Sequence, residues 1–223
     1  MFKNIVMSLV FLSFSFSILE AKTFEGFEDK AVLKNWEIEG EAVISKEQKH
    51  GGKTSLSVAP GSTALFRFGA ENSYGSVTIW VYDSSVNKGN SPGKNWNGPY
   101  FGLVNSDDDK MVILPIWRPY LKPDGWCFIF TAESQWFSPW NAGVKRKAEG
   151  WVKFTFSFPN DKALGVTVDN QSEMKSIGKK VEFFKLGANG VCLSGGTDLE
   201  DRSENFFFDD LEIDVRNTGK KKE

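Results

Sequence analysis

The feature that most constrains this chain is a period-two alternation of apolar side chains. Val77, Ile79 and Val81 share one parity, and Thr78, Trp80 and Tyr82 hold the other. Val152, Phe154, Phe156 and Phe158 alternate with Lys153, Thr155 and Ser157. Val166 and Val168 flank Thr167, and Leu211, Ile213 and Val215 flank Glu212 and Asp214. Successive side chains of a strand point to opposite faces, so each run has one oily and one wet side. Such strands belong to antiparallel sheets with a single buried face. Short runs of this kind between turn clusters predict an all-β chain, a sandwich or a barrel. Hardly any helical period competes.

The N-terminus reads differently. Lys3 supplies a positive start, and Ile5 to Leu19 is an apolar run broken by Ser8, Ser13, Ser15 and Ser17. Ala21 offers a small residue for cleavage, so residues 1–21 are expected to be a signal peptide. Glu20 is unusual there, and a cut one or two residues away is the alternative. The run is short for the roughly 20 residues of a spanning helix, and Glu20 and Lys22 end it. The expected product is exported: secreted, periplasmic or cell-surface, with no membrane span after cleavage. Residues 22–216 suit one all-β domain, and residues 217–223, with Lys220 to Lys222, read as a disordered basic tail.

Charge and rare residues exclude several functions. With 27 basic against 29 acidic residues there is no positive surplus to meet phosphates, so no nucleic-acid partner is expected. The single histidine, His50, sits beside Gly51-Gly52 and reads as an inert, exposed turn residue. Ser-His-Asp and Cys-His catalysis and histidine-rich zinc sites therefore find no support. The two cysteines, Cys127 and Cys192, are a disulfide candidate in an oxidising compartment; the alternative is two buried free thiols. The run Asp107-Asp108-Asp109 lacks the glycine and distal glutamate of an EF-hand loop and reads as a hairpin turn.

Three motifs resemble a known group. Phe27-Glu28-Asp29 with Trp36, the stretch GGKTSLSV from Gly51 to Val58, and Phe208-Asp209-Asp210-Leu211-Glu212-Ile213 resemble the first, second and final strands of jelly-roll carbohydrate-binding modules. The block Gly150 to Asn170 resembles the paired strands of concanavalin A-like and laminin G-like domains, with Asp169-Asn170 in place of an Asp-Gly turn. The resemblance implies a two-sheet antiparallel β-sandwich of jelly-roll type. It also implies a structural Ca2+ tying the first and last strands together, held by Glu28, the Lys53 carbonyl and Asp209, with Glu25 a competitor for the first role. Calcium takes several hard oxygens, and carboxylates from both chain ends would supply them. Asp209 shares parity with Leu211 and Ile213, so its carboxylate is expected to point inward. The bland alternative is that Asp209 and Asp210 merely begin an exposed strand. Trp36 and Trp151 fall at core positions of the resembled domains and are expected inside.

Eight tryptophans are many for this length. Flat rings stack on the C–H faces of sugars while neighbouring polar groups read hydroxyls. Trp80 and Tyr82 oppose the aliphatic face of their strand. Trp96 and Tyr100 belong to the first long loop, Ser84 to Pro99, and its exit. Trp136 and Trp140 belong to the second, Ala132 to Gly150. Trp117, Arg118 and Tyr120 add a cation beside aromatics. Long loops in a compact domain are commonly functional or mobile. These nine residues are the candidate carbohydrate-binding set, and the expected partner is a polysaccharide or glycan.

Three function classes follow. The first is a noncatalytic, lectin-like carbohydrate-binding domain. The second is a polysaccharide lyase or glycoside hydrolase on the same fold, less favoured because a Glu-x-Asp-x-x-Glu strand signature is absent. Glu200 to Glu204 has the wrong spacing. The third is a surface or adhesion protein that binds another protein. Fold alone does not choose among them.

Overall fold

The structure, a computed structural model, describes residues 20–68, 73–83, 100–105, 110–111, 114–117, 125–129, 131–132, 135–136, 140–145, 149–160, 163–168, 171–176, 187–196 and 204–217. The alternating runs become strands in two antiparallel sheets. The larger has eight strands. They are β1 (Glu20–Glu25), β3 (Ala42–Ser45), β4 (Ser55–Val58), β6 (Ser73–Asp83), β14 (Gly150–Asn160), β15 (Ala163–Val168), β16 (Gln171–Ser176) and β18 (Phe206–Asn217). Their order is β16-β15-β14-β6-β18-β4-β3, and β1 pairs with β18. The smaller, five-stranded sheet runs β2-β5-β17-β7-β8. It holds β2 (Trp36–Glu39), β5 (Thr63–Arg67), β7 (Tyr100–Asn105), β8 (Lys110–Met111) and β17 (Gly190–Ser194). A 3-10 turn at Lys30–Asn35, capped by Asp29 accepting from Ala31 N, joins β1 to β2.

Two small sheets complete the described strands. One is β13-β10-β9, from β9 (Leu114–Trp117), β10 (Gly125–Ile129) and β13 (Trp140–Lys145); the other pairs β11 (Thr131–Ala132) with β12 (Gln135–Trp136). The hairpin expected around Asp107 to Asp109 has its two arms in β7 and β8, where Asn105 pairs with Lys110. The residues between the arms, like the Ser84 to Pro99 segment, lie outside the described residues. The expected Asp169-Asn170 turn does too, but its arms β15 and β16 pair with Val168 opposite Gln171.

The oily parities meet between the two large sheets. Val77, Ile79 and Val81 of β6, Val152, Phe154, Phe156 and Phe158 of β14, and Leu211, Ile213 and Val215 of β18 are all buried in one cluster with Ala64, Leu103, Val191 and Leu193 from the smaller sheet. Phe101 of β7 is fully buried and touches Phe154, Phe156 and Phe208 with ring centroids 4.8, 6.1 and 6.0 Å away. Edge-to-face packing of this kind adds to area burial, and it links the sheets directly. Trp36 is core as expected, between Phe27 at 5.6 Å and Phe66 at 5.3 Å.

The strand β1 pairs from Glu20, opposite Arg216, and the closing strand β18 runs through Asn217. One expectation needs correction. Cys192 is a buried free thiol, not half of a disulfide with Cys127; burial pushes the thiol up to about 12. Its burial follows from its place on β17, all of whose residues are covered.

Candidate functional site

The wet parity of β6 builds the site. Thr78, Trp80 and Tyr82 point away from the core, and each is partly exposed. Thr78 meets Thr155 with hydroxyls 3.0 Å apart. Trp80 lies between Asp209 of β18 and Lys153 of β14 in register, and Tyr82 lies opposite Trp151. Cross-strand neighbours on one face stand about 5 Å apart, so these rings form one surface. Tyr82 and Trp151 meet edge-to-face at 5.5 Å, and Tyr82 meets Phe207 at 6.4 Å. The Tyr82 hydroxyl donates to Glu149 Oε1 at 2.8 Å, a bond that raises the phenol above its ordinary range.

Trp151 corrects the expectation of a core residue. It shares the parity of Lys153 and Thr155 rather than that of Val152, and stays partly exposed on the aromatic face. His50 corrects the expectation of an inert turn. Its ring stacks on Trp80 with centroids 3.7 Å apart and planes 21° apart, and its edge approaches Trp151 at 5.7 Å. Its Nδ1 lies 2.7 Å from Asp210 Oδ2. The aromatic face therefore holds Trp80, Tyr82, Trp151 and His50, with Phe207 beneath Tyr82.

The loop carrying His50 is held by both chain ends. Along one edge of β18, pairing with β4 stops at Phe208 and pairing with β1 resumes at Leu211. Asp209 and Asp210 fall in this gap. There β18 bulges, its register against β6 shifting between Asp209 and Glu212, and Asp210 adopts φ 46°. The bulge flips the parity: Phe206 and Phe208 face the core before it, Leu211 and Ile213 after it. Asp209 consequently shares the outer face of Phe207, which corrects the expectation that its carboxylate points inward among Leu211 and Ile213. It is nonetheless fully buried, because the His50 loop covers it.

Hydrogen bonds close the seam. Asp209 Oδ2 accepts from His50 N at 2.9 Å, and its Oδ1 accepts from Asp210 N at 2.9 Å. Gly51 N also donates to this carboxylate. Burial raises Asp209 above the usual carboxylate range, and these N–H bonds partly offset it. From the N-terminal side, Glu28 Oε1 accepts from Lys53 N at 2.8 Å, and Phe27 O accepts from Thr54 Oγ1 at 2.8 Å. Phe27, at φ 52°, and Asp210 are the two non-glycine residues with positive φ among those described, and both lie here. Each such backbone costs on the order of 1 kcal/mol, so the surrounding contacts must hold it. Gly51 and Gly52 are required by the close approach. A Cβ on Gly51 would stand 2.7 Å from Asp210 Oδ2, and one on Gly52 would collide with Glu28 Oε1.

The expected calcium ligands Glu28, Lys53 and Asp209 are brought to this one loop. Their arrangement does not fit the ion. Lys53 offers Glu28 its N–H, and the Asp209 carboxylate is occupied by three backbone N–H groups. A cation would compete with those donors instead of adding to them. Glu25 is likewise engaged, accepting from Phe27 N at 2.9 Å.

Tyr100, Trp117, Trp136 and Trp140 have their backbones in β7, β9, β12 and β13, none of which belongs to the eight-stranded sheet; their side chains, like that of Cys127 in β10, lie outside the described residues. So do Trp96, Arg118 and Tyr120 entirely.

Comparison with known proteins places the architecture. The chain is similar to the solved structure titled cellulose induced protein, Cip1, at 13% identity and TM-score 0.57, covering 85% of this chain and 95% of that one. It is similar to a GH16 protein of a Bacteroides ovatus mixed-linkage glucan locus, solved with a G4G4G3G product, at 12% identity and TM-score 0.57, covering 86% and 99%. The fold is a concanavalin A-like jelly-roll β-sandwich. A carbohydrate esterase, vb_24B_21, from the Shiga toxin-encoding bacteriophage phi24B shares it at 10% identity and TM-score 0.54, covering 87% and 99%. No protein-family model matches the chain, and no curated protein matches it.

Proposed function

We propose that this protein is an exported, noncatalytic carbohydrate-binding domain whose ligand seats on the Trp80, Tyr82, Trp151 and His50 face. The carrying observation is that three partly open rings, Trp80, Tyr82 and Trp151, stand together on paired strands, with the loop residue His50 stacked on the first. Rings held by strand backbone lose little freedom on binding, so stacking on a sugar face is not offset by ordering cost. Asp210, Glu149 and Lys153 border the rings and supply the hydrogen-bonding groups that hydroxyls need. The three similar structures named above all carry carbohydrate-related titles, which supports the same reading. The N-terminal apolar run supports export to where polysaccharides are found; among the described residues no helix is long and apolar enough to cross a membrane.

A glycan array probed with the mature protein, followed by incubation of each bound polysaccharide, tests this. Binding without release of reducing or unsaturated ends is the expected result. Product release would move the assignment to a lyase or hydrolase, and absence of binding to every glycan would remove it.

A further inference from the structure

The aromatic face carries acids at the edges of its rings. Tyr82 donates its hydroxyl to Glu149 Oε1 at 2.8 Å, and the Nδ1 edge of His50 meets Asp210 Oδ2 at 2.7 Å. The second oxygen of each carboxylate, Glu149 Oε2 and Asp210 Oδ1, accepts no hydrogen bond among the described residues. Glu149 is exposed and the Asp210 side chain keeps 22% of its surface, so both carboxylates reach solvent. Asp209, beneath the His50 loop, adds a third. Against these three stands one lysine in register on the face, Lys153 opposite Trp80, and it is itself engaged. Among the described residues, the side chains of Lys49 and Lys53 on the His50 loop pair with none of the three acids. The face is therefore negative where its rings are open.

We propose that this face selects a cationic amino sugar, a polymer whose ammonium groups reach Asp210 and Glu149 while its pyranose rings lie against Trp80, Tyr82 and Trp151. The inference rests on the proposed carbohydrate-binding function and names the ligand class of that same face. An equatorial substituent of a pyranose leaves in the plane of the sugar ring. A sugar lying flat on an aromatic ring thus directs an equatorial amine sideways, and the ring edges are where these carboxylates stand. An ammonium brings three N–H donors to groups that only accept. Charge-assisted bonds of this kind are roughly twice as strong as neutral ones, and ring faces attract the same cation. A hydroxyl or an N-acetyl group at that carbon offers one neutral donor and no charge. A basic peptide would meet the carboxylates but brings no flat C–H face to the rings.

Titration calorimetry of the full protein with three β-1,4-linked hexamers tests this, because they differ at one carbon: glucosamine, N-acetylglucosamine and glucose. At mildly acidic pH and low salt, the glucosamine hexamer is expected to bind at least roughly tenfold tighter than the other two. Raising salt to about 0.5 M should erase most of that preference, since screening then acts within a few ångströms. Glu149→Gln/Asp210→Asn keeps the shapes and removes both charges, and should bring the three hexamers to similar affinity. A neutral hexamer that binds as tightly as the amine, or a preference that survives both salt and the double variant, overturns the assignment. Equal binding of a lysine hexapeptide also overturns it, because charge alone would then be read. If the glycan array finds a neutral ligand and the glucosamine hexamer does not bind, this inference falls and the binding function stands. If no glycan binds at all, both fall.

Discussion

The imidazole of His50 lies almost parallel to the indole of Trp80, 3.7 Å between centroids, while its Nδ1 reaches Asp210 Oδ2 at 2.7 Å. One residue thus ties the seam between the terminal strands to the face proposed to bind sugar. His50→Ala is expected to cost about 1 kcal/mol, the scale of an aromatic pair, and to weaken glycan binding. His50→Phe keeps a ring over Trp80 and loses the Asp210 bond, so it should recover stability in part. Urea unfolding of both variants, followed by tryptophan emission, checks this; an alanine variant indistinguishable from wild type would contradict it.

The seam is held by carboxylates gripping backbone N–H groups. Asp209→Asn removes a buried charged acceptor and should destabilise by about 1–3 kcal/mol. Asp209 titrates above its unfolded value, so the folded chain holds the proton more tightly and this group's contribution to stability falls as pH rises through the carboxylate range. The deficit of Asp209→Asn should therefore be larger at low pH than at neutral pH. Urea midpoints at several pH values would show this, and a deficit that shrinks on acidification would contradict it.

These hydrogen bonds predict a closure that does without a divalent ion. The melting temperature should be the same in chelator and in millimolar calcium. A fall of several degrees in chelator, restored by calcium, would reinstate the ion at Glu28, Lys53 and Asp209.

Burial keeps the Cys192 thiol protonated and therefore unreactive, because the thiolate is the nucleophile. Alkylation at mildly alkaline pH, read by peptide mass mapping, should spare Cys192 in the folded protein and label it in denaturant, with or without prior reduction. Because its folded value is raised, its contribution to stability holds below the ordinary thiol range and is lost as pH climbs toward 12. Labelling in denaturant only after reduction would show a disulfide instead.

Phe101 touches three core phenylalanines of the opposite sheet. Phe101→Ala should cost about 3–5 kcal/mol in urea unfolding. A cost below about 1 kcal/mol would mean the sheets do not meet there.

Much of this architecture could be read from residue parity. The alternations in β6, β14, β15 and β18 named the buried side chains correctly, because a strand's period of two is fixed by its backbone. Trp151 was legible by the same rule, since it has the parity of Lys153, yet its place in the resembled domains pointed inward. Asp209 was not legible. Phe206 to Ile213 contains no glycine to announce a bulge, and counting back from Leu211 put the carboxylate on the wrong face. The available hint was Asp210, a residue type that tolerates positive φ. His50 was hidden for another reason: its partners Asp209 and Asp210 are 159 and 160 residues away. Nothing local marks a lone histidine beside two glycines as part of a face built by distant strands.

The most direct measurement is the affinity of Trp80→Ala and Trp151→Ala for whichever polysaccharide the array selects, taken alongside their melting temperatures. The account predicts at least roughly tenfold weaker binding in each, the loss of one stacked ring, with melting lowered by only a few degrees, the scale of about 1 kcal/mol for the ring contacts each residue makes. Full affinity in both variants, with their folds intact, would contradict it.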